Sequence, residues 1–181
     1  QVNVPALGSS YAPSFSMAGG EVIKGSQIGQ VTLVPKAKNV ELRVNNGGNY
    51  IGSQKFGVRQ IPAPEIQARI RGKQIDGKRG IPISTRSIDL DAIADASFSQ
   101  FLPKDSKFRV MEAEITLVRS GRGGASFSVK SPKVPLNRLS GQMRKGDQLV
   151  IEIKRVARAN FQGKTENFRS FSPKYINIPL N

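Results

Sequence analysis

The chain has 181 residues and carries 28 Lys and Arg against 13 Asp and Glu, a formal excess of +15, with neither His nor Cys. Those absences exclude imidazole general-base and metal chemistry, thiol nucleophiles, disulfides and thiolate zinc sites. What is left is a surface that attracts negative partners, the profile of a binder rather than a catalyst. Gln1 to Gly20 is small and polar and is broken by Pro5 and Pro13, which reads as a strand remnant followed by loop. Two short apolar runs, Val22-Ile23 and Val31 to Val34, lie around Gly25 and Gly29. Val40, Leu42 and Val44 then alternate with Glu41, Arg43 and Asn45, and this period of two puts the apolar set on one face of a half-buried strand. Asn46-Gly47-Gly48-Asn49 supplies the residues of a hairpin turn, after which Tyr50-Ile51 and Phe56 to Ile61 return as strands. Pro62-Ala63-Pro64 cannot sit in a central strand and favours a stiff, extended connection. A domain boundary is placed there, giving domains 1–64 and 65–181.

Ile66, Ala68 and Ile70 alternate with Gln67, Arg69 and Arg71 and open the second domain as a strand. Ser87 to Ala96 carries helix signals: Ser87 as cap, Asp89 and Asp91 in the first turn, and Leu90, Ile93 and Ala94 at i, i+3, i+4 spacing. Phe108 to Val118 is a long strand whose buried parity switches between Val110 and Ala113, which predicts a bulge near Met111-Glu112. Arg119 to Gly124 reads as a mobile hairpin loop, and Phe127 and Val129 as a return strand. Leu136, Leu139 and Met143 fit a short helical turn ahead of Arg144, Lys145 and Gly146. Gln148 to Phe161 is a second long strand with another slip near Val156, and Tyr175 to Leu180 closes the chain. The expected fold is mainly β, two consecutive antiparallel β-sandwich (Ig-like) domains, the second with one or two short helices. No run approaches the ~20 apolar residues that span a bilayer. The chain starts at Gln1 without Met, basic segment or apolar segment, and so reads as a fragment or a processed chain.

Each motif has a bland reading beside the functional one. Gly72-Lys73-Gln74-Ile75-Asp76-Gly77-Lys78 matches the start of a phosphate-binding loop, but Arg79 stands where Ser or Thr would hold magnesium and Gly80-Ile81-Pro82 follows instead of a helix. A basic turn is the stronger reading. Arg119 to Gly124 holds one RGG unit, whereas nucleic-acid binders of that type use many repeats in disordered tails. Phe161, Phe168 and Phe171 flank a basic stretch and could stack bases; most other aromatics fall on the core parity of strands. Asp89, Asp91 and Asp95 do not converge as metal ligands on a helix. Glu112 and Glu114 share a solvated strand face without any other acid/base partner. No catalytic residue, cofactor site or metal site emerges. The remaining signal is basic: Arg119, Arg122, Arg144, Lys145, Arg155 and Arg158 are the candidate partner-binding residues, with Lys154 beside them.

The run Phe56-Gly57-Val58-Arg59-Gln60-Ile61-Pro62-Ala63-Pro64, a strand ending in Arg-x-Ile-Pro ahead of a proline-bearing junction and a second β-domain, resembles the carboxyl-terminal periplasmic part of the GldM/PorM family. The later order is similar too: Ile83 to Ala96, the Phe108 to Leu117 strand, Leu136 to Lys145 ahead of Asp147 to Ile153, and the terminal strand. The resemblance covers most of the chain. It implies part of an inner-membrane-anchored component of the type IX secretion system, working in the periplasm in protein secretion or gliding. It further implies a homodimer, an inner-membrane motor partner reached through a region absent here, and outer-membrane-associated ring subunits at the distal end. The family's motifs assign no individual binding residue. Basic loops of the second domain would steer that contact. The alternative from another class is a basic nucleic-acid-binding β-protein, which would bind generic DNA or RNA with a steep salt slope. An enzyme ranks third, because a carboxylate-only hydrolase needs a converging pair of acids and none stands out.

Overall fold

Short runs of apolar and β-branched residues, punctuated by glycine, give the first 60 residues five strands in the computed structural model, which describes residues 2 and 5–181. They are β1 (Pro13–Ala18), β2 (Gly20–Lys24), β3 (Val31–Pro35), β4 (Asn39–Asn46) and β5 (Asn49–Gly57), after a 3-10 turn at Pro5–Ser10. Residues 1, 3 and 4 of the expected strand remnant lie outside the described residues. The loop expected through to Gly20 is instead partly sheet: Phe15 and Met17 of β1 stand opposite Val44 and Leu42 of β4 and alternate with serines. Val40, Leu42 and Val44 are buried, as their alternation requires. One antiparallel sheet has the order β1-β4-β5, and β2 and β3 form a separate hairpin. β5 runs unbroken through Gly52, with a bulge at Ile51, and ends at Gly57, so Val58 to Ile61 is not strand. The backbone N–H of Val58 bonds onward, to Lys38 O at 2.8 Å.

Residues Ile61–Asn181 form a second compact unit, Gln1–Gln60 being the first. Its strands are β6 (Glu65–Ile70), β7 (Lys73–Gln74), β8 (Ser87–Ile93), β9 (Lys107–Arg119), β10 (Arg122–Val129), β11 (Lys133–Pro135), β12 (Gln148–Ala159), β13 (Thr165–Asn167) and β14 (Lys174–Pro179), with the helix α1 (Ala96–Phe101) between β8 and β9. Two antiparallel sheets result. One has the order β11-β8-β6-β7; the other has β10-β9-β12, with β13 and β14 pairing successive stretches of β12. Ala68, Ile88 and Leu90 of the first sheet share one apolar cluster with Val110, Ile115, Leu149, Ile151 and Ile178 of the second. A β-sandwich follows, because each sheet can hide its apolar face only against the other.

The helix expected at Ser87 to Ala96 is a correction. Ser87–Ile93 is strand, with Ile88 and Leu90 fully buried at period two, and Ala68 stands opposite Leu90. The spacing of Leu90, Ile93 and Ala94 was coincidental; burial on one sheet face overrode the first-turn acids. Asp91 instead pairs with Arg69 at 3.2 Å. The helix begins only at Ala96, where Asp95 caps it by accepting from the Phe98 N–H at 3.0 Å. The expected turn at Leu136 is a 3-10 helix, Leu136–Leu139, and Leu136, Leu139 and Met143 are buried in the cluster.

Both parity slips are present. Ile153 pairs with Ala113, Arg155 with Glu112 and Val156 with Val110, so Met111 and Lys154 fall outside the ladder. The slip keeps Ile153 and Val156 both inward and lets Lys154 and Arg155, consecutive in sequence, both face solvent. Ile151 is 0% exposed at the centre of this ladder. Ile151→Ala is therefore expected to cost about 2–5 kcal/mol, read as a lowered urea midpoint with an unchanged slope.

Candidate protein-docking surface

One end of the larger sheet gathers four of the six predicted partner-binding residues. Gln148, which opens β12, stands opposite Val118 of β9 on one side and Pro179 of β14 on the other. Arg122, which opens β10, stands opposite Arg119, which ends β9. The strand ends therefore lie side by side. The supposed mobile loop from Arg119 to Gly124 is a correction: only Ser120 and Gly121 lie between the two strands, at φ 49° and 74°, the left-handed pair of a tight two-residue hairpin, and Gly124 falls at a bulge within β10. Arg119 and Arg122 are thus held on strand ends and not on a flexible tail.

Asp147 organises this end. It is 3% exposed at its side chain, and it accepts from Arg119 Nε at 2.8 Å, from Arg119 Nη2 at 2.7 Å and from the Arg144 backbone N–H at 2.9 Å. Arg119 Nη2 also donates to Gln142 O at 2.7 Å. This two-pronged guanidinium contact, followed by the Arg144 N–H and the Arg144 charge, holds the Asp147 carboxyl below its ordinary value of 3.8, while burial works the other way. The same pairing raises Arg119 above its usual value. Arg119 is consequently committed within the domain. The Arg122, Arg144 and Lys145 side chains are exposed and take part in no ion pair among the described residues.

Arg155 and Arg158 lie elsewhere. Arg155 pairs with Glu112 at 2.9 Å on the exposed strand face, beside the Lys154–Glu114 contact, so Glu112 and Glu114 are matched to cations. Arg158 is ten residues beyond Gln148, about 33 Å along the strand. Its side chain is 11% exposed, and it bonds Asp105 Oδ1 at 2.9 Å and Glu166 Oε1 at 2.5 Å. Asp105 also accepts from the Phe161 N–H. Next to it Phe108 packs edge-on to Phe168, with ring centroids 5.2 Å apart, and tilted against Phe98 at 6.4 Å. Phe171 packs on the main cluster. The aromatics singled out as possible base platforms thus contribute to packing in Phe168 and Phe171.

Asp147 was missed by sequence reasoning, although a signal existed. It is the one acid between Glu114 and Glu152, a stretch that holds seven Lys and Arg. The phosphate-loop-like motif is a turn: the Lys78 N–H bonds Asp76 Oδ1 at 2.8 Å and the Gly80 N–H bonds Asp76 O at 2.8 Å. A shallow depression of about 470 Å³ on the first unit is lined by Gly19, Val40, Glu41, Lys55 and Phe56, and Glu41 there bonds Ser53 at 2.7 Å. Among the described residues no three His, Cys, Asp or Glu side chains come together as a metal site.

These features define a pair of β-domains, the second of which presents cations at its strand ends. Residues 62–181 match the family model described as GldM C-terminal domain, and residues 1–59 the one described as GldM third domain. The chain belongs to the GldM family, a structural component of type IX secretion and gliding machinery that is inner-membrane anchored with periplasmic domains. No curated protein matches the chain. Among the described residues no helix is long and apolar enough to cross a membrane.

The Asp147 contact gives a pH signature. A carboxyl depressed in the folded state contributes stability above its unfolded value, and that contribution is lost as pH falls through the lower, folded value. Asp147→Asn is therefore expected to lower thermal stability at pH 7. The gap from the wild type is expected to narrow as pH drops below about 3.8, the ordinary carboxyl value, in calorimetric melts across pH 2–7.

Proposed function

We propose that this chain is the distal periplasmic part of a homodimeric subunit that connects an inner-membrane motor to an outer-membrane-associated ring in protein secretion or gliding. It acts by binding and by passing on force, and carries out no catalysis. Its match over nearly the whole length to two consecutive GldM domains carries this reading. The charge supports it as well. An excess of +15, with Arg122, Arg144 and Lys145 on one sheet end, raises the encounter rate with an acidic surface and orients it. Arg119 serves that end by fixing the Asp147 turn, which displays Arg144 and Lys145. Arg155 and Arg158 have carboxylate partners within the domain and add little net field at this end.

Binding of this chain to isolated ring subunits, followed against salt, tests the reading. The wild type is expected to bind and to weaken as ionic strength rises. Arg122→Glu, Arg144→Glu and Lys145→Glu together are expected to slow association by about tenfold or more and to flatten the salt dependence. A triple variant with wild-type rate and slope would remove electrostatic steering from the mechanism.

A further inference from the structure

The basic turn left over from the phosphate-loop comparison is built into the same sheet end. The Ile81 N–H bonds Pro179 O at 2.9 Å, the Asn181 N–H bonds Ile81 O at 3.0 Å, the Ile83 N–H bonds Asn181 O at 3.2 Å, and Asn181 Nδ2 bonds Arg79 O at 2.6 Å. Ile81 and Leu180 form a parallel bridge. Gly80 makes the approach possible: at φ 69° a Cβ there would lie 2.1 Å from Pro179 O. On its other side the same carboxyl-terminal segment is tied to the Asp147 turn. The Gly146 N–H bonds Leu180 O at 2.9 Å, and the Leu180 N–H bonds Asp147 O at 2.8 Å.

A continuous row follows from Arg122 on β10, through Arg119 on β9 and the Asp147 turn ahead of β12, to the end of β14 and the Arg79 to Ile83 segment. Four inter-strand spacings make it about 19 Å wide. The row displays Lys78, Arg79, Arg122, Arg144 and Lys145. Arg79 is 89% exposed and lies 3.6 Å from Asp76. Within this basic setting Ile83 is 43% exposed. An exposed apolar side chain on the segment that also carries Lys78 and Arg79 suits a protein-docking patch, in which an apolar centre supplies affinity and charged surroundings supply steering. Nucleic acid would favour aromatic platforms, and Phe168 and Phe171 are engaged elsewhere.

We infer that the Lys78 to Ile83 turn, the β9–β10 hairpin and the Arg144 to Asp147 turn form one docking platform, with Ile83 as its apolar anchor, for a protein surface that offers an apolar pocket ringed by Asp and Glu. The inference rests on the functional reading above and adds to it the anchor, the third segment and the partner's chemistry. Ile83 and the Lys78-Arg79 pair separate the two contributions. Ile83→Ser removes the anchor and leaves the charge; Lys78→Glu with Arg79→Glu reverses part of the rim and leaves the anchor.

The test measures association and dissociation rates on the isolated ring assembly, with the full chain as analyte and melting temperature as the folding control. All three altered side chains are exposed, so folding is expected to be kept. Ile83→Ser is expected to speed dissociation about tenfold at unchanged salt dependence. The Lys78/Arg79 double variant is expected to slow association and lower the salt slope, with dissociation nearly unchanged. Wild-type rates in both folded variants, with the wild type itself binding the ring, would overturn the platform and leave the functional reading in place. Failure of the wild type to bind the ring would overturn both. Equally tight, Ile83-independent binding to vesicles of phosphatidylglycerol and phosphatidylcholine would reassign the surface to a lipid headgroup layer and overturn the protein partner.

Discussion

The long antiparallel ladder between β9 and β12 is the constraint on which the second unit depends. Its register sets Ile115 against Ile151 and Leu117 against Leu149, and the neighbouring pairing sets Ile178 against Leu149. A slip of one residue along such a ladder would turn the whole apolar set outward. The irregularity at Met111 and Lys154 is such a slip, made once on both strands, and it preserves burial because Val110 and Val156 change parity together. The ladder also fixes where the charges stand. Arg119 and Asp147 meet because β9 ends where β12 begins, and Arg158 meets Asp105 and Glu166 because β12 continues past the bulge to the opposite end.

The two ends of this sheet are built differently. At the Arg158 end two carboxylates surround one guanidinium, and three phenylalanines close the space beside it. A charge so enclosed is held by geometry and exerts little field outside. At the Asp147 end the single buried acid is consumed by Arg119 and the Arg144 backbone, while the Arg144, Lys145 and Arg122 side chains stay in solvent. At the Asp147 end these exposed cations thus stand where strands end and loops turn. That placement suits a chain with 13 acids for 28 bases: distributing cations along a strand face without partners would set like charges opposite one another, and the face that does carry Lys154 and Arg155 also carries Glu112, Glu114 and Glu152.

Strands with strict alternation were legible without the structure, as Val40 to Val44 and Leu149 to Ile153 show, and so were both bulges, because a change of apolar parity has no other cheap explanation in a buried strand. Ser87 to Ala96 was misread, since its acids and its i, i+3, i+4 apolar set satisfy a short helix as well as alternation satisfies a strand. Only the opposite sheet, unseen in a local window, decides between them. The basic residues were legible as a composition but not as a surface. Arg158 sits in the sequence beside Lys154 and Arg155, yet it turns to a different end and a different function. Lys78 and Arg79 joined the Asp147 end through hydrogen bonds to residues a hundred positions away, and no spacing rule encodes such a juxtaposition.

The proposed force-transmitting role asks something particular of a binding surface. A loop that moves on its own dissipates displacement before it reaches the partner, and ordering it on binding costs conformational entropy. Here the basic side chains stand on a two-residue hairpin, on a turn fixed by a buried carboxylate, and on a turn pinned by Gly80 against Pro179. Under that proposal, load along β9, β12 or β14 would reach these positions through backbone ladders with short, hydrogen-bonded connections between them. Such a role needs no nucleophile and no general base. The same logic accounts for Arg119, whose bidentate contact stiffens the Asp147 turn at the point where strand gives way to surface.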